Sequence, residues 1–203
     1  MLRIVTVTCV FIAMAAVSVS KPARAQDDFS RTGCYLGLAG TAAFPSSAES
    51  KLEAATGSSA DVSESLGLHA RAGCRNGWGG GELHFEWLEG FDVKVDGVNL
   101  GKIDGWSLTL DGKLYPLWAL EDKLPPLARR FQPFATVGFG YLTFDAPRGL
   151  GDWDFAARFG GGLDIYVTRN IAISVDATYV LPVSNALDGL EYVSVGWGVL
   201  FRF

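Results

Sequence analysis

Beyond residue 25 the sequence has no apolar run long enough to cross a bilayer as a helix, which takes about 20 residues. A helical membrane protein is thereby excluded. Positive charge is also short, with 17 Lys and Arg against 22 Asp and Glu. Arg3, Lys21 and Arg24 fall in the first 25 residues, so the remainder carries 14 basic and 22 acidic residues, a net charge of -8. That balance argues against nucleic acid as a partner. Histidine is limited to His69 and His84, and no G-x-S-x-G motif occurs. The clusters Gly79-Gly80-Gly81 and Gly160-Gly161-Gly162 lack the following helix and the Lys-Ser/Thr ending of a phosphate loop.

What is present begins with a leader. Arg3 supplies a positive start, Ile4 to Ser20 is apolar and uncharged, and Ala23-Arg24-Ala25 is an A-x-A cleavage site. Residues 1–25 are expected to be a signal peptide, with the mature chain starting at Gln26 as one domain over 26–203. Cys9 lies mid-run, far from the cleavage site, which excludes a lipoprotein anchor. Cys34 and Cys74 remain, in an oxidising compartment. They sit on the same parity of neighbouring strands, so a disulfide and two packed thiols are both open readings.

Glycine (25) and phenylalanine (13) are abundant, and they occur in short alternating runs. Alternation with period 2 marks strands with one apolar face. Eight such segments lie at 33–44, 64–75, 80–91, 105–117, 132–144, 154–168, 171–183 and 191–203. Each is long enough to span a bilayer when tilted, which takes about 9–11 residues. The last segment, EYVSVGWGVLFRF, puts Val193, Val195, Trp197, Val199, Phe201 and Phe203 on one side and mostly small or polar residues on the other. Left at an open edge in water, such a strand would aggregate. In a closed barrel its apolar face meets lipid. The pattern predicts an all-β fold: an eight-stranded antiparallel up-and-down transmembrane β-barrel with both termini in the periplasm. Phe131, Phe134, Trp197, Phe201 and Phe203 are assigned to the lipid-facing wall. External loops are expected at 45–63, 92–104, 147–153 and 184–190. Tight turns are expected at Asn76-Gly77 and Arg169-Asn170, and 118–131 is an unusually long periplasmic connection.

The stretch RFQPFATVGFGY (Arg130 to Tyr141), the stretch FGGGLDIYVTRNIAISVDATYVLP (Phe159 to Pro182) and the last strand together resemble small OmpA-like or OmpX-like outer-membrane β-barrel proteins. The resemblance implies residence in the outer membrane of a Gram-negative bacterium, amid lipid and lipopolysaccharide. It also implies recognition of the terminal Phe203 by the outer-membrane assembly machinery. It specifies architecture rather than activity, since the family includes structural proteins, adhesins and members of unknown role. Eight-stranded lipid A deacylases carry a histidine-x-serine pattern. Here His69 is followed by Ala70-Arg71 and His84 by Phe85-Glu86.

Parity turns Arg71, Glu82, His84, Glu86, Asp111, Lys113, Arg158, Asp164, Asp176 and Arg202 inward, together with His69. An eight-stranded barrel is just wide enough for side chains to fill, so these charges must pair. The expected role is a salt-bridged plug in a monomeric structural or surface-interaction barrel with an unknown external loop partner. No catalytic residue, cofactor or metal is assigned. Three alternatives stand beside it: a lipid-modifying outer-membrane enzyme, a narrow gated pore, and a soluble lipocalin-like barrel with its apolar face around a ligand.

Overall fold

The computed structural model describes residues 29, 31–46, 53–54, 57–145, 152–183 and 191–203. The expected signal peptide, residues 47–52 and 55–56 of the first expected external loop, 147–151 of the third and all of 184–190 lie outside these residues. The described residues form nine strands: β1 (Gly33–Pro45), β2 (Ala60–Val62), β3 (Ser65–Asn76), β4 (Gly79–Val95), β5 (Val98–Leu114), β6 (Phe131–Asp145), β7 (Asp152–Tyr166), β8 (Ile171–Pro182) and β9 (Tyr192–Arg202). Eight long strands pair antiparallel with their chain neighbours. The sheet closes where β1 meets β9, in register from Tyr35–Arg202 to Pro45–Tyr192. β2 adds a short ladder to β4 beyond the end of β3, with Ala60 opposite Val95.

Alternation sorts the side chains as the sequence expects. Leu36, Leu38, Leu68, Leu110, Val137, Phe139, Val175 and Val199 stand on the outer wall, with Leu38 73% exposed. Their intervening neighbours fill the lumen. A contiguous apolar wall of this kind is stable only against a non-aqueous medium. Aromatic side chains collect toward both of its rims. Trp78, Trp118 and Phe131 lie at the end bearing the chain termini, and Tyr141, Trp153 and Phe155 lie at the other. Tyr141 and Phe155 approach to 4.9 Å between centroids.

The structure departs from the expected elements at four places. The loop expected at 92–104 is hairpin: β4 and β5 run on and join at Asp96-Gly97, both with positive φ (50° and 77°). A two-residue turn of this handedness matches the twist of its strands, and Asp-Gly is its preferred sequence. A register shift between Leu88 and Phe91, with Gly90 at φ 119°, is the bulge that turns Phe91 inward. The fourth segment ends at Leu114, not 117; Tyr115 is buried, and Pro116–Lys123 and Ala128–Arg130 are 3-10 turns filling the long connection. Finally, Phe134 is not on the wall. It is 5% exposed and packs inside, 5.9 Å from the Tyr115 ring.

Cys34 and Cys74 are direct partners across β1 and β3 and are joined by a disulfide. It cross-links residues 40 apart, a loop for which such bonds contribute about 2–4 kcal/mol.

The outer wall yields a depth-dependent prediction. Val175→Arg, at the middle of β8, should destabilise the barrel by about 2–4 kcal/mol, and Val183→Arg, just past its end, by about 0–1 kcal/mol. Equilibrium unfolding from lipid vesicles measures both. Equal costs at the two positions would contradict a membrane-spanning wall.

Candidate functional site

The charged side chains meet inside the barrel, and the strands position them by parity alone. All ten inward residues named from the sequence are buried, as is His69. Phe203, by contrast, is exposed on the outer side, 6.5 Å from the Phe201 ring.

The lumen is layered. Midway along it, Lys113 Nζ donates to Glu82 Oε2 at 2.7 Å, and Tyr35 Oη donates to the same oxygen at 2.7 Å. The Lys113 ammonium also lies 4.3 Å above the Phe134 ring. Arg71 Nη2 donates to Asp176 Oδ1 at 2.8 Å and stands 3.0 Å from His69 Nε2. Arg158 bridges Asp111 at 3.8 Å and Asp176 at 3.7 Å. Lys113–Glu82 and Arg158–Asp176 join paired strands, whereas Arg71–Asp176, Arg158–Asp111 and Tyr35–Glu82 reach between strands that do not pair. A Cβ at Gly138 would overlap the Asp111 carboxylate, and one at Gly196 the His69 ring. The wall is therefore thinned where a charged or ring side chain crosses.

Toward the terminal end, Arg75 Nη2 donates to Gln132 Oε1 at 2.8 Å, and its guanidinium stacks 3.6 Å over Tyr115. Asp164 accepts from Ser174 Oγ at 2.6 Å and Tyr115 Oη at 3.3 Å. Arg202 Nη1 donates to the Phe29 carbonyl at 2.6 Å and to Tyr166 Oη at 2.8 Å. Phe29 precedes the first strand, yet it is buried against Tyr166 and floors the barrel. Toward the other end Glu86 accepts from Thr41 Oγ1, Ser194 Oγ and Tyr192 Oη. Above it lies an apolar layer that includes Leu88, Phe91, Val93, Leu142, Phe144 and Val180.

Several members of this network are absent from the sequence-based set. Arg75 and Gln132 share the inward parity of Arg71 and Phe134, so period 2 carried the signal for both. The tyrosines Tyr35, Tyr166 and Tyr192 were open to the same reading. Phe29 was not, because it lies outside any alternating segment. Among the described residues no Ser or Thr hydroxyl is hydrogen-bonded to either histidine.

Comparison with known proteins follows the architecture. The family model described as the outer membrane protein beta-barrel domain matches residues 9–203. No curated protein matches the chain. Among solved structures, the outer membrane protein OprG from Pseudomonas aeruginosa is 17% identical, covers 88% of this chain and 99% of its own, and superposes with a TM-score of 0.59. Neisserial surface protein A is 12% identical, with 84% and 97% covered and a TM-score of 0.59. The N-terminal β-barrel domain of Pseudomonas aeruginosa OprF is 12% identical, with 85% and 100% covered and a TM-score of 0.52. At these identities the likeness is one of fold.

The central ion pair is testable by a double-mutant cycle. Lys113→Met leaves the Glu82 carboxylate buried without its cation and should cost about 3–5 kcal/mol. Adding Glu82→Leu should restore most of that loss, because a paired apolar replacement leaves no uncompensated charge. Equilibrium unfolding in detergent reads both. A double variant as unstable as the single one would refute the pairing.

Proposed function

Since the chain belongs to the outer membrane protein beta-barrel domain family and resides in the outer membrane of a Gram-negative bacterium, we propose that it is a closed, monomeric, non-catalytic barrel with a structural or surface-interaction role. The observation that carries this reading is the filled lumen. Phe29 and Arg202 occupy one end, an apolar layer around Leu88, Phe91 and Phe144 occupies the other, and buried ion pairs lie between. Among the described residues, packed side chains occupy the lumen on both sides of the two histidines. The lipocalin-like alternative requires the apolar face to be inside, whereas Leu38, Phe139 and Val175 point out. Among the described residues the β4–β5 hairpin, with β2 paired to it, reaches beyond the wall. Its exposed Lys102 and Glu89 stand 3.6 Å apart, and this polar surface is where an external partner would meet the protein. Lipid and lipopolysaccharide pack against the aromatic rims, which are the usual anchors of such walls. The assembly machinery engages Phe203, whose exposed ring extends the outward face of the closing strand β9.

Deleting Phe203 should lower the amount of assembled barrel recovered in the outer-membrane fraction, read as the heat-modifiable band on gels. Undiminished assembly would refute the recognition role. The purified barrel should show neither stepwise conductance in a planar bilayer nor release of fatty acid from lipid A or phospholipid. Conductance would establish the gated-pore alternative, and fatty-acid release the enzyme.

A further inference from the structure

Among the buried side-chain nitrogens without a hydrogen-bond partner, two carry a lone pair that a metal could take: Nδ1 of His69 and Nε2 of His84, the others being guanidinium N–H groups. Both residues are about 1% exposed. The ladder between β3 and β4 sets His69 opposite Glu86 and His84 opposite Arg71. The two imidazoles lie 4.7 Å apart between centroids, inclined at 56°. One potential ligand atom from each of His69, His84 and Glu86 lies within 4.8 Å of the others. Donors on a tetrahedral zinc with bonds of about 2.0–2.1 Å stand roughly 3.3 Å apart, so modest side-chain rotations would close the set.

The surroundings already orient these groups. Glu82 Oε1 faces Nδ1 of His84 at 3.8 Å. A carboxylate there favours the proton on Nδ1 and leaves the Nε2 lone pair free, as behind metal-bound histidines generally. Three hydroxyls, from Thr41, Ser194 and Tyr192, hold the Glu86 carboxylate. A carboxylate has about four lone-pair sites, so one is left. The buried ion pairs join Arg71, Lys113 and Arg158 to Glu82, Asp111 and Asp176, and Glu86 is in none of them among the described residues. The contact between Arg71 and Nε2 of His69 would yield when that nitrogen takes the ring proton, while Arg71 keeps Asp176 at 2.8 Å.

We propose that His69 Nδ1, His84 Nε2 and a Glu86 oxygen form a binding site for one divalent transition-metal ion of the zinc class, loaded while the barrel folds because both ends of the lumen are then closed. Two neutral imidazoles and a carboxylate are a donor set that suits zinc, with a fourth position open to water.

The test uses tag-free mature protein refolded into detergent with Zn2+ and passed over a chelating resin. Only the heat-modifiable, folded fraction is analysed for metal by mass spectrometry. Stoichiometric zinc is expected in the wild type. His84→Gln and Glu86→Gln should lose it. Refolding the wild type with Co2+ should give the visible absorption of a tetrahedral nitrogen and oxygen site, a readout that does not depend on any variant folding. Folded wild-type barrel without zinc and without that absorption overturns the proposal. Zinc lost in Asp111→Asn but kept in Glu86→Gln also overturns it, by moving the ion to the neighbouring group of Glu82, His84 and Asp111.

Discussion

Closure of the sheet on itself is the constraint from which the rest of the structure follows. In hydrocarbon each unpaired backbone N–H or C=O costs several kcal/mol, so a sheet may span only if it has no edge. The ladder between β1 and β9 removes the edge. Once the sheet is closed, period 2 has only two destinations. One set of side chains must suit lipid and the other must suit a lumen too narrow to be left as open water. The last strand states the result most directly, since Trp197, Val199 and Phe201 face out while Ser194, Leu200 and Arg202 face in.

A narrow lumen in turn governs which charges it can hold. Each buried charge needs partners within reach, and here they come both from the paired strand and from strands farther round the barrel. Glu82 is met by Lys113 from the adjacent strand and by Tyr35 from another, and Asp176 by Arg71 and Arg158. Small residues face the long ones: Gly138 makes room for Asp111, and Gly196 for His69. Elsewhere, as at Gly140, Gly160 and Gly162, a Cβ would meet the carbonyl of the neighbouring strand, so close backbone approach accounts for those glycines.

Much of this was legible in the sequence because the lipid wall is uniformly apolar, so the phase of each strand can be read from one face alone. The reading weakened where that wall ends. Beyond the membrane the outward residues of β4 and β5 become polar, among them Lys94, Lys102 and Asp104, and composition then looks like loop. The Asp96-Gly97 turn between alternating valines was the countersignal. The bulge at Gly90 shifts the phase, so parity counted from Glu82 does not carry through to Phe91. Phe134 misled by residue type, since its inward parity agreed with Gln132 while its ring suggested the wall. Contacts between strands, including the diagonal approach of His69 to His84 on the β3–β4 ladder, depend on the register between strands, which single-strand alternation does not encode. The disulfide occupies an intermediate place: shared parity allowed Cys34 and Cys74 to meet, and the register of β1 against β3 makes them partners.

The layering of the lumen has an environmental corollary. Counter-ions weaken an exposed ion pair because they can come within a Debye length of it, about 8 Å at physiological ionic strength. Here the charged layer has Phe29 and Tyr166 below it, Phe91 and Phe144 above it, and hydrocarbon around it. Glu82 and Asp176 are buried between these layers. An organism moving between dilute and saline water would change the electrostatics of the β4–β5 hairpin while the barrel that carries it kept its internal attraction intact.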